Sequence, residues 1–308
     1  MSSDPWGDLA ASLDAVREPF VRDRDTHSGF LPGSPAALEG ANEPFADDWA
    51  PAPSRNANIA GLHLATVAMD HFAGLATLLR THEPVCIYGL SSLARSAIEV
   101  AARCYYLMEP EISPLERIRR QQSERLAGLW EQEKLAAIIS QGKQSVEFQE
   151  ATASLDLRMK TITDSARRHG LFPRVKDKKR PPFLAGPGVP RAFSSTDLVE
   201  ALVGQGNGLG VVSYQTLSAV GHGREQGVIQ YFTRQGVLLD RTHGDLFGTI
   251  EASAQQVAVN LAGTPIAMVG MLDRFYGHFG WPSGGVRPSI NRLLEVWGRI
   301  AEIPIQRG

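Results

Sequence analysis

Twenty residues, Gly89 to Met108 (GLSSLARSAIEVAARCYYLM), constrain this chain more than any other stretch. Leu90, Leu93, Ala94, Ala97, Ile98, Val100, Ala101, Ala102, Cys104 and Leu107 spread around all sides of an α-helix, leaving no wide face for water. Such a helix belongs in the middle of a fold. Past its first turn the strongly polar side chains are Arg95, Glu99 and Arg103, at i, i+4 and i+8, which a helix stacks in one stripe. Charged side chains are seldom fully buried without partners, so the stripe must meet matching groups, a water-filled cleft or a ligand.

The rest of the chain reads as helices punctuated by proline-rich loops. An amphipathic helix is expected from Pro5 to about Arg24, with Leu9, Leu13, Val16, Phe20 and Val21 on one side, packed on the surface of the bundle. Residues 28 to 55 mix prolines with Gly, Ala, Asn and Asp and read as a long irregular loop that wraps the domain or covers a cleft. Residues 1–55 are therefore set apart from a main bundle over 56–308. A second apolar helix runs from Asn56 to about Thr81, with His63, Val67, Asp70 and His71 in one sector, and Glu83-Pro84 separates it from the central helix.

Ser113-Pro114-Leu115-Glu116 carries N-cap, N1 and N3 signals for a capping box. The helix that follows is heavily charged and expected on the outside. A polar helix from Lys143 to His169 should end at Gly170 as its C′ residue. Residues 171 to 194 read as a surface loop, and Ser194 or Ser195 as the cap of a short helix. GQGNGLG (204 to 210) lacks dinucleotide-binding spacing and reads as a linker. A helix spans about Gly210 to Gly221, and residues 228 to 240 carry the one strand-like signal, a short hairpin. Asp245 to Phe279 reads as one long helix kinked at Pro265, and Pro288 to Ala301 as the last. The fold class is all-α: a single large helical bundle with long proline-rich loops and at most one short β-hairpin.

Composition narrows the function classes. Hydrophobic residues are 43% and charged ones 21% of 308, as in an ordinary globular protein. A net charge of −2, from 31 basic and 33 acidic residues, provides no global field for nucleic acid, which stays a candidate partner on other grounds only. Cys86 and Cys104 lie on or beside one helix, about 27 Å apart along its axis, too far to be bridged. They suit a reducing cytoplasm, and MSSDPWGDLA has neither the basic nor the apolar part of a secretion signal. The most membrane-like run, Val257 to Leu272, is too short to span, so no membrane is expected as partner.

On the helix near 210 to 221, Tyr214 and Ser218, with His222 after it, again stand at i, i+4 and i+8 among apolar residues. If the two ladders face each other, Arg95 and Arg103 can hold an anion, Glu99 can orient one arginine, and His222 can move a proton. We assign His222, Glu99 and Tyr214 to catalysis, and Arg95, Arg103, Ser218, His63 and Asp70 to ligand binding. The bland alternative is a structural network in which Glu99 neutralises the arginines and His222 bonds Tyr214 or a carbonyl. Two arginines against one glutamate leave a charge that some anion must compensate.

LARSAIEVAARCYYL together with SYQTLSAVGHG resembles the bacterial helical-bundle proteins related to the HEPN (higher eukaryote and prokaryote nucleotide-binding) group, over about residues 60 to 225. In these an Arg-x3-Glu helix is paired with a later Tyr-x3-Ser-x3-His helix, matched here by Arg95, Glu99, Tyr214, Ser218 and His222. The resemblance implies an all-α bundle, a homodimer and, in some members, metal-independent RNA cleavage or nucleotide binding. The Arg-polar-x3-His spacing of the nucleases is missing around His222. It occurs literally at Arg22 to His27, at the end of a surface helix, and Arg274 to His278 is one residue short.

Other constellations carry less. His63, Asp70-His71, His243 and Asp245 lack HExxH, ExxH or CxxC spacing, so neither a metal nor a cofactor is expected. Asp47-Asp48 is half of an aspartate-rich diphosphate-binding motif, and Ser91, Ser92 and Ser218 show no nucleophile elbow. Trp6, Trp49, Trp130, Trp281 and Trp297 are scattered as packing residues are. Three readings result: a protein acting by metal-independent acid-base chemistry on a small phosphate- or carboxylate-bearing ligand, nucleotides included; a non-enzymatic interaction, regulatory or defence module; and a cyclase- or lyase-type enzyme using 28 to 55 as a lid.

Overall fold

The structure is a computed structural model that describes residues 4–27, 29–41, 43, 45–46, 48–49, 51–81, 83, 85–140, 145–175, 181–186, 193–231, 238–240, 245–247 and 251–302. The protein is mainly α-helical. Its helices are α1 (Pro5–His27), α2 (Pro35–Ala41), α3 (Pro53–Arg80), α4 (Ile87–Leu107), α5 (Pro114–Ile139), α6 (Val146–Arg168), α7 (Ser195–Val199), α8 (Leu209–Gly221), α9 (Glu225–Val228), α10 (Ala254–Asn260), α11 (Gly263–Phe279) and α12 (Arg287–Ala301). A π-helical turn, Glu200–Gly204, extends α7, and a 3-10 turn, Ile229–Tyr231, extends α9. Two antiparallel ribbons complete the described chain: β1 (Phe172–Arg174) with β2 (Phe183–Ala185), and β3 (Leu238–Asp240) with β4 (Asp245–Phe247).

The chain forms two compact units, one of Met1–Leu31, Leu62–Tyr106 and Ser195–Gly308, the other of Pro32–Gly61 and Leu107–Ser194. In the first, α4 is enclosed as its sequence requires: Leu90, Ala94, Ala97, Ile98, Ala101, Ala102 and Cys104 are all at most 2% exposed. Around it α1 buries Leu9, Leu13, Val16 and Phe20 and packs against α12, whose Leu293 and Trp297 are buried. Phe20, Phe275, Phe279 and Trp281 form an aromatic cluster, with Phe275 and Phe279 stacked at 4.3 Å. By length and composition alone α3 could cross a bilayer, whereas the sequence reading singled out Val257 to Leu272 as the most membrane-like run and found it too short to span. On α3, Ala65, Ala68, Met69, Phe72, Leu75 and Leu79 are buried in this unit.

The second unit is built on α5 and α6, which pack on each other around Ile118, Leu126, Leu129, Leu155 and Ile162. Charge would place α5 outside, yet Arg117 is 1% and Arg119 is 4% exposed, while Ile138 and Ile139 near its end are 73% and 81% exposed. The inversion follows from hydrogen bonding. Arg117 bonds both oxygens of Glu39 (3.2 and 3.1 Å), the carbonyl of Glu109 (3.1 Å) and, closely, that of Leu107. Arg119 donates to Glu116 (2.6 and 2.7 Å) and to the Leu184 carbonyl (2.9 Å). Buried guanidinium groups are tolerated when they are satisfied in this way. Ser113 does cap α5 through Glu116 N (3.2 Å), but the Glu116 carboxylate turns to Arg119 and Arg120, so the reciprocal half of a capping box is not made.

Four segments depart from the pattern reading. Residues 28 to 55 contain α2; Gly29 and Leu31 bond Trp281 and Phe279 in the first unit, and the described residues from Pro32 onward are fastened within the second. Glu39 holds Arg117, Asp48 holds Arg168 (2.7 Å) and His169 (2.5 Å), Trp49 donates to the Ile162 carbonyl (3.3 Å), and Glu43 caps α3 at Ser54 N (3.0 Å). These bonds tie Glu39, Glu43, Asp48 and Trp49 to α3, α5 and the α6 end of that unit. Where 171 to 194 was expected to be loop alone, β1 and β2 pair in the register Phe172↔Ala185, Pro173↔Leu184, Arg174↔Phe183. The expected hairpin of 228 to 240 is displaced: residues 225 to 231 are helical, and β3 pairs onward with β4. The expected long helix from Asp245 is consequently split. A new helix starts at the Ser253 capping box, and Pro265 sits in the first turn of α11, where a missing N–H costs nothing.

Candidate functional site

The two polar ladders face each other within the first unit. Glu99, on α4, is the hub. Its Oε1 accepts from Arg103 Nη2 (2.8 Å) and from the Ser195 hydroxyl (2.8 Å), and its Oε2 accepts from the Tyr214 hydroxyl (2.8 Å). Burial pushes the Glu99 carboxyl up, but the bonds from Ser195 and Tyr214 and the charges of Arg103 and Arg95 outweigh it and hold the group below the usual carboxylate range. Tyr214, 8% exposed, sits between charges: burial raises its phenol above the ordinary value, a bond from Arg95 opposes this, and Glu99 adds to it. It stays a phenol and acts as a donor.

Arg95 differs from Arg103. One amino group, Nη2, donates to Tyr214 Oη (3.2 Å); the other, Nη1, lies 3.3 Å from His222 Nε2. Its guanidinium carbon stands 5.1 Å over the Tyr214 ring, a cation-π contact. Its Nε is buried without a hydrogen-bond partner. A guanidinium has no acceptor, so His222 Nε2 must accept from it, which puts the proton of a neutral imidazole on Nδ1. His222 caps the end of α8 and is exposed. The stripe therefore runs from a buried tyrosine to solvent, with Glu99 23% and Arg103 37% exposed at the side chain.

The loop before α8 aims this ladder. The GQGNGLG segment is more than a linker: the Glu200 carboxylate accepts from Gly208 N (2.7 Å) and Val211 N (2.9 Å), tying the π turn to the start of α8. Those backbone bonds hold the Glu200 carboxyl below its usual range. A Cβ at Gly210 would lie 2.6 Å from Glu200 Cα and 2.7 Å from the Val199 carbonyl, so the close approach requires glycine. Glu200 escaped the sequence reading, and Ser195, read there as a possible helix cap, instead donates to Glu99. The signal for Glu200 was an acidic residue about one helical turn before a glycine cluster that opens a helix.

Of the remaining expected site residues, Ser218 is half-buried on α8, and its backbone carbonyl accepts from His222 N (3.1 Å). His63 is exposed on α3, and Asp70 lines a cavity between α1 and α3. Neither joins the Arg95 cluster. Among the described residues no three His, Cys, Asp or Glu side chains converge as a metal site would need. Asp47 and His243 lie outside the described residues. Asp48 is engaged by Arg168 and His169, and His169 stacks on Trp49 at 4.9 Å. At the Arg22 to His27 match, the Arg22 side chain is 65% exposed and His27 leans on Trp281. Arg274 packs over Tyr105 and donates to its carbonyl (2.9 Å). No protein family, curated protein or solved structure matches the chain.

Proposed function

We propose that the protein binds a small phosphate- or carboxylate-bearing ligand, nucleotides included, at the edge where Arg95 meets His222. One observation carries the reading: Arg95 is a half-buried cation whose hydrogen-bond neighbours, Tyr214 and His222, are not carboxylates, and whose Nε is unsatisfied. The Glu99 carboxylate is spent on Arg103, Ser195 and Tyr214. An arriving anion would face the Nη1 edge of Arg95 and the exposed His222, with the guanidinium held flat by Tyr214. Where the ligand is turned over, His222 is the group able to carry a proton, and Glu99 and Tyr214 act by positioning Arg95.

Calorimetric titration with inorganic phosphate and with AMP tests this. Arg95→Ala should remove saturable binding while thermal unfolding stays cooperative, and Arg103→Ala should change affinity by no more than about threefold. Binding unaffected by Arg95→Ala disposes of the site. The reading as an interaction module rests on the same saturated Glu99, and predicts that Arg95→Ala lowers the melting temperature without a binding defect.

A further inference from the structure

A second, separate concavity lies between α1 and the part of α3 in the first unit. It encloses about 210 Å3. Its floor is apolar: Phe20 is fully buried, Met69 is 2% exposed, and Val67 flanks them. Two charged side chains of opposite sign line it, Arg17 from α1 and Asp70 from α3. Neither makes a hydrogen bond or ion pair among the described residues, and they do not pair with each other. Arg24, also lining the cavity, is engaged by Asp25 at 2.8 Å.

Opposite charges facing one hollow without meeting are complementary to a molecule that carries both signs. We infer that this cavity binds a small zwitterion with an apolar side chain, an amino-acid-like ammonium carboxylate. Arg17 takes the carboxylate through its planar donor fork, Asp70 takes the ammonium, and the Phe20, Val67 and Met69 floor takes the hydrocarbon. The volume lies below the range of about 300 to 1,000 Å3 usual for larger ligands and suits an occupant the size of a single amino acid. A simple fatty acid would leave Asp70 facing its apolar chain, and a simple amine would do the same to Arg17.

The test uses three matched probes: L-leucine, 4-methylpentanoate, which lacks the ammonium, and 3-methylbutylamine, which lacks the carboxylate. Binding to the full chain is followed by calorimetry and by the Met69 methyl resonance in methyl-labelled protein, assigned through Met69→Leu. Leucine should saturate and shift Met69, and each truncated probe should bind about tenfold or more weakly. Arg17→Ala should bring leucine down to the level of the amine, and Asp70→Asn to the level of the acid. Neither residue is part of the core, and circular dichroism checks that both variants fold. Leucine binding no better than its truncated analogues, binding that survives both substitutions, or no saturable shift of Met69 would each overturn the inference.

Discussion

Tyr214→Phe separates the hydrogen-bonding role of the ladder from its packing. The substitution keeps the ring under the Arg95 guanidinium and removes one oxygen. That oxygen donates to Glu99 at 2.8 Å and accepts from Arg95 at 3.2 Å, at a residue 8% exposed. A hydrogen bond to a charged partner contributes about 1.5 to 3 kcal/mol. The loss should be about 2 kcal/mol, since Glu99 is itself 23% exposed and water replaces part of the bond. Arg103→Ala breaks an ion pair that looks equally short at 2.8 Å, but Arg103 is 37% exposed and solvent screens it. Its removal should cost under about 1 kcal/mol. For a domain of this size each kcal/mol moves the melting temperature by about 2 to 4 °C, so near-UV circular dichroism melts at neutral pH separate the two variants. The gap should also depend on pH. Glu99 titrates below its unfolded value, so the stability it supplies is fully present above the ordinary carboxylate range and disappears as pH falls through the folded value. Wild type and Tyr214→Phe should therefore converge in acid. A Tyr214→Phe cost no larger than that of Arg103→Ala, or a gap unchanged by acid, would refute the assignment of Glu99 as the hub.

Two further expectations concern the scaffold. Arg117→Met strands Glu39 without its guanidinium and should cost about 3 to 5 kcal/mol in urea unfolding, while adding Glu39→Gln should recover much of the loss; a double variant no more stable than the single one would contradict the pairing. Gly210→Ala should destabilise by about 1 to 3 kcal/mol, because its Cβ meets Glu200 and Val199, whereas Gly277→Ala, whose Cβ meets nothing within 4 Å on an exposed helical turn, should stabilise by up to about 1 kcal/mol. Thermal melts of the two alanine variants check the opposite signs.

The helices and the facing ladders were legible because both depend on local spacing. Enclosure of α4 follows from apolar residues on all its sides, and the meeting of Arg95 and Glu99 with Tyr214 and His222 follows from two i, i+4, i+8 stripes on otherwise apolar helices. What escaped depends on partners distant in the chain. Nothing local marks Arg117 as buried, since Glu39 stands far upstream and two of its other acceptors are backbone carbonyls, which carry no sequence signal. Asp70 and His63 share a helix sector with apolar neighbours, but Asp70 lines the hollow against α1 and His63 is exposed, so neither meets Arg95. The two ribbons are three residues per strand, too short for alternation to show.

Which member of the ladder is available for chemistry follows from counting acceptors. Glu99 has two oxygens and receives three donors at 2.8 Å, so taking a proton from a ligand would mean breaking bonds that hold it ionised. Tyr214 already donates to Glu99, and its phenol is pushed away from ionisation, so it is a poor base. Arg103 is tied to Glu99. That leaves Arg95, which has charge to offer and no proton to give, beside His222, whose Nε2 faces Arg95 while its exposed ring can exchange a proton with solvent. On the proposed function, binding falls to Arg95 and proton transfer to His222, two side chains 3.3 Å apart, and each can be substituted without touching the Glu99 carboxylate.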